Sequence, residues 1–304
     1  MMRLLKTWGL MIAFAVGAVF PGLHVLSPLL PYFVGIMLTI TLVGMEMSEL
    51  RPQRRHGIII GLNICLGLSF WAVLKRLGYE QAAEAAFFAG ITGEAASAPV
   101  IVQMLGGKSE FAAVGLALNS ASASIAIPVI VPFILVPYGG GEISRYEVFC
   151  AVVEQVAAML LGPCVVAALL RKLYPASRAW AKKLNFPSLC IWLCCMSMVA
   201  ATCVTRVGAS GAGWREIAPI AGVIALMCAT GFFLGRMIGG KSLALECGQC
   251  LGQKNATVGI QLSLCYASPL VFLGPTLYLF CQHIFNTWQM VRYNRRKLSG
   301  AARR

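Results

Sequence analysis

The chain has 304 residues, of which 59% are hydrophobic and only 12% are charged, and its formal net charge is +14. A water-soluble globular domain carries about 25% charged residues, so this composition excludes an ordinary soluble protein. Continuous apolar segments recur along the whole length. They indicate α-helical membrane spans rather than the alternating pattern of a β-barrel.

Ten segments are apolar enough to span a bilayer, and each is close to the ~20 residues that the hydrocarbon core requires. The basic start of the first segment also resembles a secretory signal, but we expect it to be retained because its removal would leave an odd number of spans. The predicted spans are residues 8–26, 28–47, 57–76, 81–104, 110–136, 148–170, 186–205, 217–239, 243–267 and 270–291.

The basic residues favour one side of the membrane in this topology. Of the 25 lysines and arginines, 19 fall on one side and 5 on the other, with Lys254 left inside a span. Positively charged loops stay in the cytoplasm, so the chain is expected to be a multi-pass protein of the cell (inner) membrane with both termini cytoplasmic. The basic tail, residues 294–304, is expected to contact anionic membrane lipid, and no nucleic-acid partner is expected.

The ten spans divide into two sets of five, residues 1–137 and 145–293, within a single transmembrane domain. Because each set contains an odd number of spans, the second set enters the membrane in the opposite sense. Such inverted repeats are typical of secondary transporters. The predicted fold class is therefore an all-α membrane protein built from two inverted five-helix repeats.

Spans four and nine, each the fourth of its repeat, contain helix-weakening and polar residues at mid-depth. The first segment is Gly90-Ile-Thr-Gly-Glu-Ala-Ala-Ser-Ala-Pro99, and the second is Glu246-Cys-Gly-Gln-Cys-Leu-Gly-Gln-Lys-Asn255. Proline removes a backbone donor and disfavours helix in the residue before it. Glycine and proline also mark simple kinks in membrane helices. Two matched interruptions are nevertheless a pointer to a binding site, so we expect both helices to be discontinuous and to cross.

Glu94 and Lys254 lie near the middle of these two spans. A charged group within a bilayer is costly and is usually functional. If the two segments cross, the two side chains are expected to form a buried ion pair, in which each offsets the other. The residues leave open whether this pair only holds the broken helices together or also couples transport to a proton.

Neutral polar residues near the predicted crossing complete the expected ion or substrate site. Asn119 stands out because a large amide lies in the middle of span five, where its carbonyl oxygen could ligate a cation. Small polar residues of the same span also serve close helix packing. The neutral residues expected to line the site are Ser97, Asn119, Ser120, Gln253 and Asn255.

Two further ionisable residues are candidates with alternative explanations. Glu246 would share a helix face with Cys250 and Lys254, but it also fits the cytoplasmic end of span nine. His283 accompanies several amides in span ten and could titrate near neutral pH, although a hydrogen-bonded structural role is favoured.

The chain lacks the sequence motifs of enzymes and of ATP-driven proteins. It contains no P-loop, Rossmann fingerprint, HExxH or nucleophile elbow, so we predict neither a catalytic site nor ATP use. The twelve cysteines lie mostly within spans as small hydrophobes, and the Cys247–Cys250 pair lacks the second pair that a metal site needs. Sodium or protons, acting as the coupling ion, are the only cofactors expected.

Several stretches of the chain resemble the bile acid:sodium symporter family. Gly252-Gln-Lys-Asn-Ala256 is similar to that family's Glu-x-Gly-x-Gln-Asn motif. Leu30-Pro-Tyr-Phe-Val-Gly-Ile-Met37, Gly44-Met-Glu-Met-Ser-Glu-Leu-Arg51, Gly93-Glu-Ala-Ala-Ser-Ala-Pro-Val100 and Gln282-His283 resemble the family's second, fourth and tenth spans. The resemblance implies a NhaA-like fold with a panel and a core domain, and import of organic anions, usually with sodium.

The same resemblance implies an altered sodium site. Asn255 matches the motif asparagine, Lys254 stands where the family has glutamine, and Cys250 stands where it has the sodium-binding glutamate. A second alignment, which places Glu246-Cys-Gly248 on the Glu-x-Gly of the motif, requires an insertion. A lysine ammonium here would repel sodium or stand in for it, as in related antiporters that pair a lysine with a carboxylate.

The sequence therefore favours a secondary transporter of a small organic anion, coupled to sodium or, given Lys254, to protons. A cation/proton antiporter is the alternative within transport, and a non-transporting membrane sensor or scaffold is the alternative of another class. The sequence leaves the substrate, the direction of transport and the oligomeric state open.

Overall fold

The computed structural model describes residues 2–44, 51–134, 145–157 and 161–301. Within these residues the chain is helical and contains no strand, which confirms the all-α prediction. The helices are α1 (Met2–Val19), a 3-10 helix (Pro21–Leu29), α2 (Leu30–Gly44), α3 (Arg54–Arg76), α4 (Glu80–Gly90), α5 (Ala98–Met104), α6 (Ser109–Ile134), α7 (Arg145–Val156), α8 (Gly162–Leu173), α9 (Ser177–Lys183), α10 (Asn185–Ser210), α11 (Trp214–Gly239), α12 (Ala244–Gly252), α13 (Ala256–Tyr266) and α14 (Leu273–Ala301).

Five helical stretches in the described part of the chain are long and apolar enough to cross a membrane by themselves. They coincide with predicted spans two, three, five, seven and eight, which supports a membrane protein. The other five predicted spans also fall on helices, two of them interrupted. The ten-span inverted repeat remains a prediction. The five stretches are Pro21–Gly44, Arg54–Arg76, Ser109–Ile134, Phe186–Ser210 and Trp214–Gly239.

The helix contacts divide the described residues into two groups. In the first group, α10 packs against α1, the 3-10 helix and α2, and α2 packs against α8 and α9. In the second group, α3, α4, α6, α11, α12, α13 and α14 pack around one another, with α5 and α7 against α6. The groups meet where α2 packs against α13 and at ring contacts of α1 and α10, for example where the rings of Phe14 and Phe280 of α14 lie 3.9 Å apart.

Some loops and boundaries differ from the sequence-based prediction. The predicted end of span seven at residue 205 leaves Arg206 in a loop, but Arg206 lies inside α10. The connector between spans six and seven contains the short helix α9. Residues 294–301 of the basic tail continue α14 as helix. The segment between the two predicted repeats, residues 138–144, and the end of the tail at 302–304 fall outside the described residues.

Helix α11 packs closely against α12, and this contact depends on a row of glycines. Gly231, Gly235 and Gly239 recur every four residues and so lie on one face of α11. A Cβ atom on Gly235 would lie 2.3 Å from the Cys247 carbonyl oxygen and 2.8 Å from the Gly248 Cα. The absence of side chains on this face therefore lets the backbones approach, as is common between membrane helices.

We predict that Gly235→Ala destabilises the protein, because the new methyl group would force α11 and α12 apart. The expected cost is about 1–3 kcal/mol, visible as a lower melting temperature of the purified protein in detergent. Gly222→Ala is the matched control on the same helix, because a Cβ there meets no atom within 4 Å. Equal melting temperatures for the two variants would contradict the packing described here.

Candidate functional site

The two helices that the sequence predicts to be interrupted are interrupted in the structure. Helix α4 ends at Gly90 and α5 begins at Ala98, while α12 ends at Gly252 and α13 begins at Ala256. Pro99 occupies the first turn of α5, where its missing N–H group has no helical partner to lose. Each pair of short helices is thus separated by a few non-helical residues deep inside the protein.

The two non-helical segments meet in a single antiparallel bridge between Glu94 and Lys254. The backbone N–H of Asn255 donates to the Gly93 carbonyl at 2.8 Å, and the N–H of Ala95 donates to the Gln253 carbonyl at 3.2 Å. Backbone groups that the broken helices leave free are therefore paired with each other, as a water-poor interior requires. Glu94 and Lys254 form the non-hydrogen-bonded pair of this bridge, in which side chains come closest.

The side chains of the predicted ion pair interact electrostatically but make no hydrogen bond to each other, although their backbones are neighbours. One Glu94 oxygen, Oε2, accepts a hydrogen bond from Asn119 of α6 at 3.4 Å and lies beside the Cys250 thiol of α12. The Lys254 ammonium lies near Cys228 of α11 and also interacts electrostatically with Glu94. The predicted direct contact between the two side chains is therefore not closed by a hydrogen bond, and each has a neighbour on another helix.

Both charged side chains are buried, and each has an atom without a partner. Glu94 and Lys254 are each only 1% exposed. The Glu94 Oε1 and the Lys254 Nζ have no hydrogen-bond partner among the described residues. A buried ionised group without a partner is costly, so these two atoms mark a place where an ion, a proton or a ligand would gain binding energy.

A glycine of α6 makes room for the Glu94 carboxylate. An added Cβ on Gly115 would lie 2.6 Å from the Glu94 Oε2 and 2.9 Å from the Cys250 sulfur. Asn119, one turn further along α6, donates both to Glu94 and to the Gly115 carbonyl, at 3.4 and 3.0 Å. Asn119 is therefore next to the carboxylate, as the sequence predicts.

Helices α3 and α14 brace the two breaks through backbone carbonyls and amides. The Gln282 amide accepts from the Lys254 N–H at 2.9 Å and donates to the Lys254 carbonyl at 3.4 Å. The Tyr278 hydroxyl donates to the Gly252 carbonyl at 2.9 Å, and Asn63 donates to the Thr92 carbonyl at 2.9 Å. Sequence reasoning missed Asn63 and Tyr278, although a lone amide in the apolar span three was a signal for Asn63.

A buried chain of amides connects the crossing with the far half of α14. The Ser97 hydroxyl donates to the Gln253 side-chain carbonyl at 2.7 Å, and Gln253 in turn donates to Gln249. Gln249 donates to Asn286 at 3.3 Å and to Gln289 at 2.7 Å. Ser97 and Gln253 therefore lie together at the crossing, as predicted, and Gln249 is an additional member that the sequence reading did not select.

Ser120 and Asn255 reach the crossing mainly through their backbones. Gly93 packs so closely on α6 that an added Cβ would lie 3.0 Å from the Asn119 carbonyl oxygen and 3.4 Å from the Ser120 nitrogen. The Asn255 backbone forms part of the bridge, and its half-buried side chain makes no hydrogen bond to a described residue. The Asn255 amide is therefore free to contact a ligand.

Two predicted site residues lie away from the crossing. Glu246 accepts a hydrogen bond from the backbone N–H of Lys108 at 2.8 Å and so holds the turn before α6. His283 packs edge-on against Trp192 of α10, with ring centroids 5.0 Å apart, on a different face of α14 from Gln282. Both residues thus have contacts outside the bridge, and their part in the central ion or substrate site stays a prediction.

The cysteines and acidic groups do not define a metal centre. No group of three or more histidine, cysteine or acidic side chains that could hold a metal ion occurs in the described part of the chain. All twelve cysteines are free thiols, including buried Cys247 and Cys250 of the CxxC sequence. The chemistry available at the crossing is therefore that of one carboxylate, one lysine, the Cys250 thiol and a set of neutral polar side chains.

Comparison of the chain with models of protein families and with curated proteins finds no match. Fold and site together define the class only broadly: an all-helical protein with long apolar helices and two interrupted helices joined at a buried bridge.

We predict that Gln282→Leu destabilises the crossing, because it removes both hydrogen bonds to the Lys254 backbone and leaves buried polar groups unpaired. Each such group costs about 1–3 kcal/mol, so the melting temperature should fall by several degrees. The exposed Gln103→Leu on α5 is the matched control. An unchanged melting temperature for Gln282→Leu would show that Gln282 does not brace the break.

Proposed function

We propose that the protein is a secondary transporter of the cell membrane that moves a small organic anion, in the manner of the bile acid:sodium symporters that its sequence resembles. The observation that supports this most is the bridge between two interrupted helices with buried Glu94 and Lys254 at its centre. Transporters place binding sites at such interruptions, because non-helical backbone and half-helix ends supply polar groups at membrane depth.

The orphaned atoms of Glu94 and Lys254 give this site the two properties that coupled transport needs. A carboxylate oxygen without a partner accepts a cation or a proton, and an ammonium without a partner attracts an anion. Since the residues on either side of Glu94 are hydrogen-bonded to those on either side of Lys254, binding at one side chain would affect binding at the other. Asn119, Ser97, Gln253 and Asn255 supply neutral polar groups around them.

The nearby lysine favours protons over sodium as the coupling ion. A sodium ion at Glu94 would be repelled by the Lys254 ammonium in a region of low dielectric, whereas a proton neutralises the carboxylate without adding a second cation. Sodium coupling remains the expectation from the family resemblance. Imposing a sodium gradient and a pH gradient separately distinguishes sodium coupling from proton coupling. Cation efflux without anion uptake would indicate the alternative function, a cation/proton antiporter.

The proposal is tested by uptake into proteoliposomes with taurocholate, estrone sulfate and pyruvate as probes. A sodium gradient and a pH gradient are imposed separately, because each isolates one coupling ion. Gradient-driven accumulation of a probe is the expected result. If neither anion uptake nor cation exchange occurs under any gradient, the result contradicts transport and favours the sensor or scaffold.

We predict that Glu94→Gln abolishes gradient-driven accumulation, because an amide can neither take up a proton nor compensate a cation. The loss should be at least tenfold in initial rate. Glu110→Gln is the matched control, since Glu110 is exposed in the first turn of α6 and its only hydrogen bond is to its neighbour Ser109. Equal loss in both variants would indicate a general effect of removing a negative charge.

We also predict that Lys254→Met alters the dependence of uptake on pH and sodium, because it removes the cation that excludes sodium from Glu94. The expected change is a weaker pH dependence together with stimulation by sodium. The exposed Lys241→Met should behave like the unmodified protein. If Lys254→Met keeps both the rate and the pH dependence of the unmodified protein, Lys254 has no role in coupling.

A further inference from the structure

In the seam between the two helix groups, residues of α10 and α1 contact α14 and the residue before it. Ring contacts close the seam at three places, two of them on α14 and one at Phe272. Each contact joins one residue of the first group to one residue of the second. The contacts are Arg206 over Phe272 at 6.0 Å, Phe14 with Phe280 at 3.9 Å and Trp192 with His283 at 5.0 Å. Phe272 lies just before the start of α14, so the Arg206 contact closes one end of the seam.

Arg206 is an unusual residue for its position. It lies four residues, about 6 Å, before the end of α10 at Ser210, within a helix long and apolar enough to cross a membrane. The side chain is half-buried, and its guanidinium group lies over the Phe272 ring. An arginine within such a helix usually has a binding partner, because its charge is costly to bury.

The protein itself supplies no anionic partner for Arg206 among the described residues. Its guanidinium makes no hydrogen bond or ion pair with any of them, so its five N–H donors are unused. The charge of Arg206 is therefore available to a ligand.

Other basic residues at this end do not share these properties. Lys75 lies at the end of α3, where its ammonium packs over the Trp71 ring, and Arg215 is exposed at the start of α11. Only Arg206, of these three, is half-buried in the seam between the two helix groups.

We propose that Arg206 is the outer recognition residue for the transported organic anion and binds its carboxylate or sulfate group at the mouth of the seam. The inference rests on the proposed transport function and adds to it a residue for anion selection. A guanidinium presents paired N–H donors that match the two oxygens of an oxyanion, and this geometry is stronger than that of a single ammonium. The Phe272 ring offers an apolar surface beside it for the hydrocarbon part of the ligand.

The first test measures uptake of taurocholate, estrone sulfate and pyruvate by Arg206→Gln and Arg206→Lys in proteoliposomes. For the probe that the unmodified protein transports, Arg206→Gln should raise the KM at least tenfold and change the maximal rate less than twofold. Arg206→Lys keeps the charge but loses the paired donors, so its KM should lie between that of the unmodified protein and that of Arg206→Gln. The exposed Arg215→Gln, the same substitution at the same end, should leave the KM unchanged.

A second measurement separates recognition from a structural role. In Arg206→Cys, modification with a thiol reagent that carries an ammonium group should restore the low KM, whereas a sulfonate reagent should not. The unmodified protein, treated in parallel, corrects for reaction at its native cysteines. This comparison is made within a single variant, so it also remains informative if Arg206→Gln fails to fold.

The outcomes distinguish this inference from the function on which it rests. If a probe is transported and Arg206→Gln has the KM of the unmodified protein, Arg206 does not recognise the anion, although transport stands. Equal rescue by the two thiol reagents would also overturn the inference, because charge would not matter. If none of the three probes is transported or raises the melting temperature of the unmodified protein, both the inference and the proposed function fail.

Discussion

Pairing of backbone groups at the two helix breaks is the constraint on which the rest of the structure depends. Each break frees N–H and carbonyl groups in a region with little water, where an unpaired group costs several kcal/mol. The hydrogen bonds between Gly93 and Asn255 and between Ala95 and Gln253 satisfy part of this need, and side chains from α3 and α14 satisfy more. The two breaks therefore stabilise each other, and either one alone would be unfavourable.

This pairing also explains why so many polar residues occur in otherwise apolar helices. Gln282, Tyr278 and Asn63 each bind a backbone carbonyl next to a break, and the amides from Gln253 to Gln289 bind one another. In a low-dielectric interior such a network is favourable only when nearly every member is paired. The few atoms that remain unpaired, on Glu94 and Lys254 above all, are therefore the natural points at which ions and ligands would act.

Glycines place these charged groups by letting backbones approach closely. Gly235 brings α12 against α11, and Gly115 leaves the space on α6 that the Glu94 carboxylate occupies. Glu94 consequently contacts Asn119 of α6 and Cys250 of α12, while Lys254 lies near Cys228 of α11 and shares no hydrogen bond with Glu94. A carboxylate oxygen and an ammonium that are not hydrogen-bonded to each other are each available to a ligand, which suits coupling better than a closed ion pair does.

The sequence by itself determined the helical class, the positions of the two interruptions and most of the residues beside them. Those properties follow from local chemistry: apolar length, the missing N–H of Pro99, and the cost of placing Glu94 and Lys254 in apolar spans. Only the tertiary structure decided that Glu246 holds the turn before α6, that His283 faces Trp192, and that Glu94 and Lys254 share no hydrogen bond. Side-chain direction depends on which helix lies alongside and where its glycines leave space, and residue order along the chain does not specify those neighbours.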